Sequence, residues 1–453
     1  MSLAAERSAP VRPDEEPAGA SGWRGRAAEL VELGRTTRVG QLARAALVTL
    51  LLILLAGVLT LVAVLRTQAA ADDVVTRSGP LTASAQELYR ALSDADASAG
   101  QGFLLGAGEP ESLRLRYQTD LAAAGRALAV VGAASAGEGA DAAAVTTLTQ
   151  GVPVYTGLVE TARSADRQGL TYGSAYLREA SSFLRADLLP AAQQIYDVQS
   201  AELADAQDGA DGAVWALLAV LALVVALVAV WRLHRRIAHT TRRRLTPGVA
   251  LAGAALALLG VWGALALGSC AVLTASARGD GTAPNRELVA ARFAVLQSRS
   301  DEVLTLVARS TGGAYEQDYV RRSVALYGWQ GQLDRARDEA GEGPVAADAA
   351  AAQAAGRNGI VVHNLVRTLD LSGQYDLAVA LALGTGPDAG QGSVEQVQDA
   401  LDRAITTTAG TGADDAAAAR AATTLLALGT VVLTLVALGG LVAGVWPRLQ
   451  EYR

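Results

Sequence analysis

Four long stretches of the chain contain no charged residue. They cover residues 45–65, 212–231, 248–277 and 421–446. A helix of about 20 residues crosses the hydrocarbon core of a bilayer, which is about 30 Å thick. The pattern therefore predicts four transmembrane helices, at 45–65, 212–231, 248–277 and 420–446. An even number of spans places both termini on the same side of the membrane.

The long segments between the spans have helical periodicity. In 66–211, apolar residues recur at three- and four-residue steps in four successive series, as they do on the buried faces of amphipathic helices. Similar series follow in 278–419, and the paired spans are displaced by about 204 to 207 residues. We predict an all-α membrane protein with four transmembrane helices and two extracytoplasmic antiparallel four-helix bundles arranged as a tandem repeat.

The distribution of arginine predicts the orientation. The short segment 231–247 carries six arginines, whereas 67–211 contains 9 Arg against 19 acidic residues and 278–419 contains 12 against 19. Short basic segments stay on the cytoplasmic side, so we predict a multi-pass plasma-membrane protein with both termini cytoplasmic. The predicted order is a cytoplasmic tail (1–44), transmembrane helix (45–65), extracytoplasmic helical domain (66–211), transmembrane helix (212–231), basic cytoplasmic loop (232–247), transmembrane helix (248–277), second extracytoplasmic helical domain (278–419), transmembrane helix (420–446) and cytoplasmic end (447–453).

Residues with catalytic or metal-binding chemistry do not form a recognisable motif. The three histidines, His234, His239 and His363, share no ligand spacing with each other or with a cysteine. The sequence also lacks a phosphate-binding glycine motif, a nucleophile elbow and a paired-carboxylate motif. The predicted cytoplasmic segments are too short for a catalytic domain. We therefore predict that the protein is not an enzyme and has no catalytic residue, cofactor or metal site.

The uncharged spans also bear on transport and packing. Ion-coupled transport usually requires an ionisable group within the bilayer, and the four runs contain none, which argues against a permease. Gly440 and Gly444 form a GxxxG pattern that predicts a close packing face. The pattern does not say whether the partner helix belongs to the same chain, so homo-oligomerisation stays open.

The basic loop is the candidate inner surface. Arg235, Arg236, Arg242, Arg243 and Arg244 are predicted to face the cytoplasm. They either present a surface to a cytoplasmic partner or only fix the topology and contact anionic membrane lipids. Arginines beside a membrane more often have the second role than a role in nucleic-acid binding, so we predict no nucleic-acid partner.

The single cysteine allows two interpretations. Leu267-Gly-Ser-Cys270 follows an apolar run and resembles a bacterial lipoprotein cleavage box, which would make Cys270 a lipidation site. The alternative is a plain buried thiol. With one cysteine there is no intramolecular disulfide, so the predicted bundles depend on helix packing.

One block of the first long segment resembles known sensor domains. Leu88-Tyr-Arg-Ala-Leu-Ser-Asp-Ala-Asp96, then Gly102-Phe-Leu-Leu-Gly-Ala-Gly108 and Tyr117, look like parts of the CHASE and chemoreceptor four-helix-bundle sensor domains. The layout of two such bundles, four spans and no cytoplasmic domain is similar to the actinobacterial GlnX family. That resemblance implies amino-acid sensing, with a glutamine-binding-type lipoprotein outside and the soluble protein kinase G inside as partners.

Three functions follow as hypotheses. The first is a non-enzymatic sensor that detects an extracytoplasmic solute, directly or through a solute-binding lipoprotein, and signals to a cytoplasmic partner such as a protein kinase. The alternative is a structural or assembly membrane protein that scaffolds other envelope proteins without sensing a ligand. A permease is the third, and it would require a polar path that the spans lack.

Overall fold

The computed structural model describes residues 38–106, 109–135, 141–208, 210–241, 247–384 and 393–450. Within these ranges the regular elements are helices and there is no strand. Four helical segments are long and apolar enough to cross a membrane, namely Gly40–Leu105, Val214–Ala238, Pro247–Thr311 and Val394–Pro447. The predicted all-α membrane fold is therefore confirmed, and the chain is a multi-pass membrane protein.

The helices follow one another with short connections. Their bounds are α1 (Arg38–Asp73), α2 (Gly79–Leu105), α3 (Glu111–Ala134), α4 (Ala142–Arg167), α5 (Gly173–Phe183), α6 (Leu189–Asp208), α7 (Ala210–Thr241), α8 (Pro247–Ser276), α9 (Ala283–Ala308), α10 (Gly313–Tyr327), α11 (Gln332–Ala340), α12 (Pro344–Leu371), α13 (Tyr375–Ala382), α14 (Ser393–Thr423) and α15 (Leu426–Gln450). Two boundaries differ from the sequence interpretation. Helix α7 continues to Thr241, into the predicted loop 232–247. The predicted span 420–446 is divided between α14 and α15, because the helix is interrupted between Thr423 and Leu426.

Three short π-helical segments occur where proline follows. They are Val74–Ser78, Leu184–Leu188 and Ala277–Thr282, and each is followed within two residues by Pro80, Pro190 or Pro284. Proline has no N–H group and its ring crowds the carbonyl of the preceding turn, so the helix widens by one residue instead of breaking. Helix α4 contains Pro153 and continues through it without interruption.

The chain divides into two compact units, whose described residues lie within 38–62, 215–263 and 428–450 (the membrane unit) and within 63–214 and 264–427 (the polar unit). In the membrane unit, α1, α7, α8 and α15 share one buried apolar cluster. The predicted GxxxG face is used there. A Cβ on Gly248 would lie 2.5 Å from the Gly440 carbonyl oxygen and 2.6 Å from the Gly444 nitrogen, so α8 and α15 approach through backbone atoms of the same chain.

The larger of the two buried apolar clusters in the polar unit has contributions from two halves. We call α2–α6 the first half and α9–α14 the second half. Buried apolar residues from both belong to one continuous core. In the second half, α10 ends at Tyr327 and α11 begins at Gln332. The intervening residues include Gly328, Gly331 and Trp329, which is 91% exposed. The repeat arrangement itself stays a prediction.

Candidate functional site

A buried carboxylate links the two halves of the polar unit. Asp96 lies on α2 with 3% of its surface exposed. The Ser181 hydroxyl donates a hydrogen bond to its Oδ1 at 2.6 Å, and the Tyr155 hydroxyl donates to the same oxygen at 3.3 Å. From the second half, the Ser300 hydroxyl donates to Oδ2 at 2.7 Å. Burial raises the pKa of Tyr155 well above its ordinary value, so this phenol keeps the proton that it donates.

A second buried carboxylate makes the reciprocal connection. Asp301 on α9 is fully buried. Arg185 of the first half donates to its Oδ1, and Arg322 of the second half donates to its Oδ2 at 2.5 Å. Arg185 also donates to the Ser300 hydroxyl at 2.6 Å. Each half therefore supplies a carboxylate whose partners include a side chain of the other half, which couples their packing more tightly than apolar contact alone.

The same network continues from Arg322 through Gln297 to the buried Tyr89. Arg322 donates from Nε to Gln297 Oε1 at 2.8 Å, and Gln297 Nε2 donates to the hydroxyl oxygen of Tyr89. Burial raises the pKa of Tyr89 to about 12, so the hydroxyl stays protonated. Helical spacing explains the alignment. Phe293, Gln297 and Asp301 are four residues apart on α9 and therefore share one face of that helix.

Tyr89 and Gln297 also line a cavity of about 200 Å³ between the halves. The remaining lining residues are Gln193, Tyr196, Asp197, Ala290, Phe293, Ala294 and Gln332. The Tyr89 and Phe293 rings stack with centroids 3.7 Å apart, and Tyr196 meets Phe293 edge-on at 5.5 Å. Gln193 and Asp197 are exposed, whereas the Gln332 Oε1 atom is buried without a hydrogen-bond partner. Aromatic faces beside a few polar groups are typical of small-molecule sites.

A separate charged cluster surrounds His363. Its Nδ1 lies 2.9 Å from Glu302 Oε1 and its Nε2 lies 3.2 Å from Glu316 Oε1, while the Tyr319 ring stacks on the imidazole at 3.6 Å. Burial is the largest single influence and lowers the pKa of His363, but the hydrogen bonds and charges of the two glutamates together raise it above its ordinary value. Arg367 contacts the other oxygen of Glu316 at 3.0 Å.

The site residues named from the sequence lie elsewhere. Arg235 and Arg236 are exposed on α7, and the Arg235 guanidinium lies 4.8 Å from the Trp231 ring centroid. Arg242, Arg243 and Arg244 fall outside the described residues. Cys270 is buried within the uninterrupted helix α8, so its thiol is enclosed in the intact chain, and the lipidation hypothesis stays untested.

Sequence reasoning missed both buried carboxylates. Asp96 follows Leu92 by four residues, and Asp301 precedes Leu304 by three, so each shares a helix face with a buried leucine. An acidic residue on a buried face is rare unless it is paired. The position of the two aspartates on apolar faces could therefore have indicated that each is paired. The partners could not be named, because they lie on five different helical segments. No group of His, Cys, Asp and Glu side chains within the described ranges has the arrangement of a metal site.

Comparison with known proteins adds one result. Residues 70–208 match the family model described as the actinobacterial sensor domain. The match covers less than a third of the chain. It contains Asp96, Tyr155, Ser181 and Arg185, and it ends before Ser300 and Asp301. No curated protein and no solved structure matches the chain.

Proposed function

We propose that the protein is a non-enzymatic transmembrane sensor. It detects an extracytoplasmic solute, directly or through a solute-binding lipoprotein, and signals to a cytoplasmic partner such as a protein kinase. The observation that carries this proposal is the sensor-domain match of residues 70–208, which lie in sequence between the uncharged runs 45–65 and 212–231. GlnX-like partners and amino acids as the solute belong to the same proposal through the resemblance of the layout.

The orientation is part of the proposal. The excess of acidic residues in 67–211 and 278–419 and the arginines of 232–244 support extracytoplasmic long segments and cytoplasmic termini. Single cysteines placed at exposed Ala83 and Thr407, in a Cys270→Ala background, test it. A membrane-impermeant maleimide added to intact cells should label both positions. Labelling only after the cells are opened would contradict the orientation.

The tandem repeat is also proposed, and contacts across the halves support it. Pro80 and Pro284 are 204 residues apart in the sequence, and each follows a π-helical segment. The stacked rings of Tyr89 and Phe293 have the same separation, and so do the hydrogen-bonded Asp96 and Ser300. Equivalent positions that touch each other are the signature of an isologous interface, as in a twofold dimer. The two halves therefore resemble two fused copies of one sensor domain.

A sensing mechanism follows from that interface. A ligand that favours one packing of the halves shifts the population of that arrangement by its difference in affinity for the two states. Reciprocal polar contacts such as Ser300 with Asp96 and Arg185 with Asp301 oppose continuous sliding of α2 against α9 and favour discrete arrangements. Shifts of about 1–2 Å at such interfaces are common in switching proteins.

Proximity labelling tests the relay. A labelling enzyme fused after Arg453 reports the neighbours of the C-terminus in cells that are supplied with, or deprived of, a peptone mixture outside. We expect the labelled cytoplasmic proteins to change with the mixture in the native chain. The change should be lost when Arg235, Arg236, Arg242, Arg243 and Arg244 are all replaced by glutamine, provided that insertion is normal. An unchanged response in this variant assigns these arginines to topology alone.

A scaffold is the second candidate, and exposed apolar residues in the polar unit favour it. Trp329 is 91% exposed, Leu371 78% and Val361 68%, and such side chains often mark protein contacts. The same experiment separates the two functions. A set of labelled neighbours that is constant with and without peptone supports scaffolding and contradicts sensing.

A further inference from the structure

Under the proposed repeat, positions that line the cavity between the halves have counterparts of different charge. Under the repeat separation of 204 residues, Ala294 at the cavity corresponds to Arg90 in the first half. Asp197 at the cavity mouth corresponds to Asp402 on α14, with a separation of 205 residues. This correspondence rests on the proposed repeat. The two carboxylates, Asp197 and Asp402, differ in the groups that lie beside them.

The Asp402 carboxylate is neutralised by guanidinium groups. Arg292 Nη2 lies 2.9 Å from Asp402 Oδ1. Burial raises the pKa of Asp402, and the positive charges of Arg292 and Arg90 oppose that effect. The counterpart of Arg292 in the first half is Leu88, which carries no charge. Asp402 therefore has a cationic side chain of the protein, Arg292, beside it.

At Asp197 the corresponding space is hollow. Ala294 stands where the first half has Arg90, and it lines the cavity of about 200 Å³ together with Tyr89, Phe293 and Tyr196. The exposed Arg286 acts electrostatically on Asp197 and partly offsets the rise in its pKa that burial causes. Arg286 does not line the cavity. The carboxylate at the mouth thus faces a space in which no protein cation has been placed.

We propose that this cavity binds a small organic cation that bears N–H groups, an ammonium or guanidinium compound. Under the proposed repeat, its charge is the counterpart of that of Arg90, whose guanidinium pairs with Glu87 and Asp94 at 2.6 Å. The cation lies between the Asp197 carboxylate and the rings of Phe293 and Tyr196, and aromatic rings attract positive charge. Gln332 Oε1, buried without a partner, accepts an N–H hydrogen bond after rotation of its terminal amide. The volume is below the 300–1,000 Å³ that is usual for drug-sized ligands, so the ligand is small.

Titration calorimetry on the intact protein tests the proposal. The protein is placed in phosphatidylglycerol nanodiscs and phosphate buffer, because phosphatidylethanolamine and Tris are themselves ammonium compounds. The probes are 3-aminopropan-1-ol, its neutral counterpart propane-1,3-diol, and choline, a cation without N–H groups on nitrogen. We expect 3-aminopropan-1-ol to bind at least about tenfold more tightly than the diol, because a charge-assisted hydrogen bond is lost in the latter. Choline should bind more weakly than the amine.

Three variants locate the site. Asp197→Asn should weaken binding of 3-aminopropan-1-ol about tenfold or more, whereas Asp205→Asn, an exposed carboxylate on the same helix, should leave it unchanged. Ala294→Arg should abolish binding, because it supplies the missing guanidinium in place of the ligand. Equal affinity for the amine and the diol, equal affinity for choline, or native affinity in Asp197→Asn would each overturn the proposal. Because the titration involves no signalling, its failure leaves the peptone-dependent labelling intact, and a failed relay leaves the binding result intact.

Discussion

Replacement of Asp96 by alanine tests whether the buried polar network holds the two halves together. The change removes the acceptor for three hydroxyl groups, those of Ser181, Tyr155 and Ser300, at distances of 2.6, 3.3 and 2.7 Å. Two of these donors belong to the first half and one to the second. The carboxylate is 3% exposed, so water does not readily replace it.

The magnitude follows from the cost of leaving buried donors without an acceptor. A hydrogen bond to a charged group contributes about 1.5–3 kcal/mol, and a buried polar group without a partner costs about 1–3 kcal/mol. Effects within one network are not additive, so the sum over three donors overestimates the loss. We expect Asp96→Ala to reduce the free energy of unfolding of the polar unit by about 3–5 kcal/mol, as for other buried charged networks.

The assay is thermal unfolding of the intact protein in detergent, followed by circular dichroism. We expect the midpoint to fall by about 5–10 °C for Asp96→Ala. The midpoint of Asp96→Asn should fall less, because the remaining side-chain oxygen still accepts hydrogen bonds from Ser181 and Tyr155. Only the hydrogen bond with Ser300 is altered. Ser300→Ala should resemble Asp96→Asn. Ser298→Ala is the matched control, since this buried serine on the same helix bonds only to the Ala294 carbonyl at 2.9 Å.

The prediction is refuted if Asp96→Ala unfolds at the native midpoint while membrane insertion is normal, because the network then does not stabilise the interface between the halves. A loss of equal size in Ser298→Ala would show that α9 tolerates no small cavity, and the effect could then not be assigned to the polar link between the halves.

Two further predictions concern other parts of the chain. His363 has a raised pKa, so its interaction with its two glutamates stabilises the fold below the ordinary histidine pKa of about 6.5 and is lost as the pH rises through the folded-state value. Thermal midpoints of the native protein and His363→Gln should therefore differ more at low pH than at high pH, and a constant difference would contradict the assignment. In the membrane unit, a Cβ on Gly444 would lie 2.9 Å from the Val249 nitrogen, whereas nothing lies within 4 Å of one on Gly439. Gly444→Val should lower the detergent resistance of the fold and Gly439→Val should not; equal behaviour of the two would show that α8 and α15 do not pack through this face.

The sequence alone determined the architecture of the membrane unit. Uncharged runs of sufficient length have one stable solution in a bilayer, because each backbone polar group must be bonded within its own helix. Helical periodicity likewise identified the apolar faces of α2, α9 and their neighbours. These properties are local, since they depend on residues within a few helical turns of one another. Local properties of this kind can be predicted from the amino-acid sequence.

Only the tertiary structure decided what those faces pack against. Periodicity did not indicate that both halves share one core, that Asp96 meets Ser300, or that Gly444 meets Gly248 instead of a second chain. It also did not reveal that Ala294 lines a cavity between the halves. Pairing between elements more than 200 residues apart depends on shape and on the partners of buried charges, and neither is encoded in the spacing of residues along a single helix.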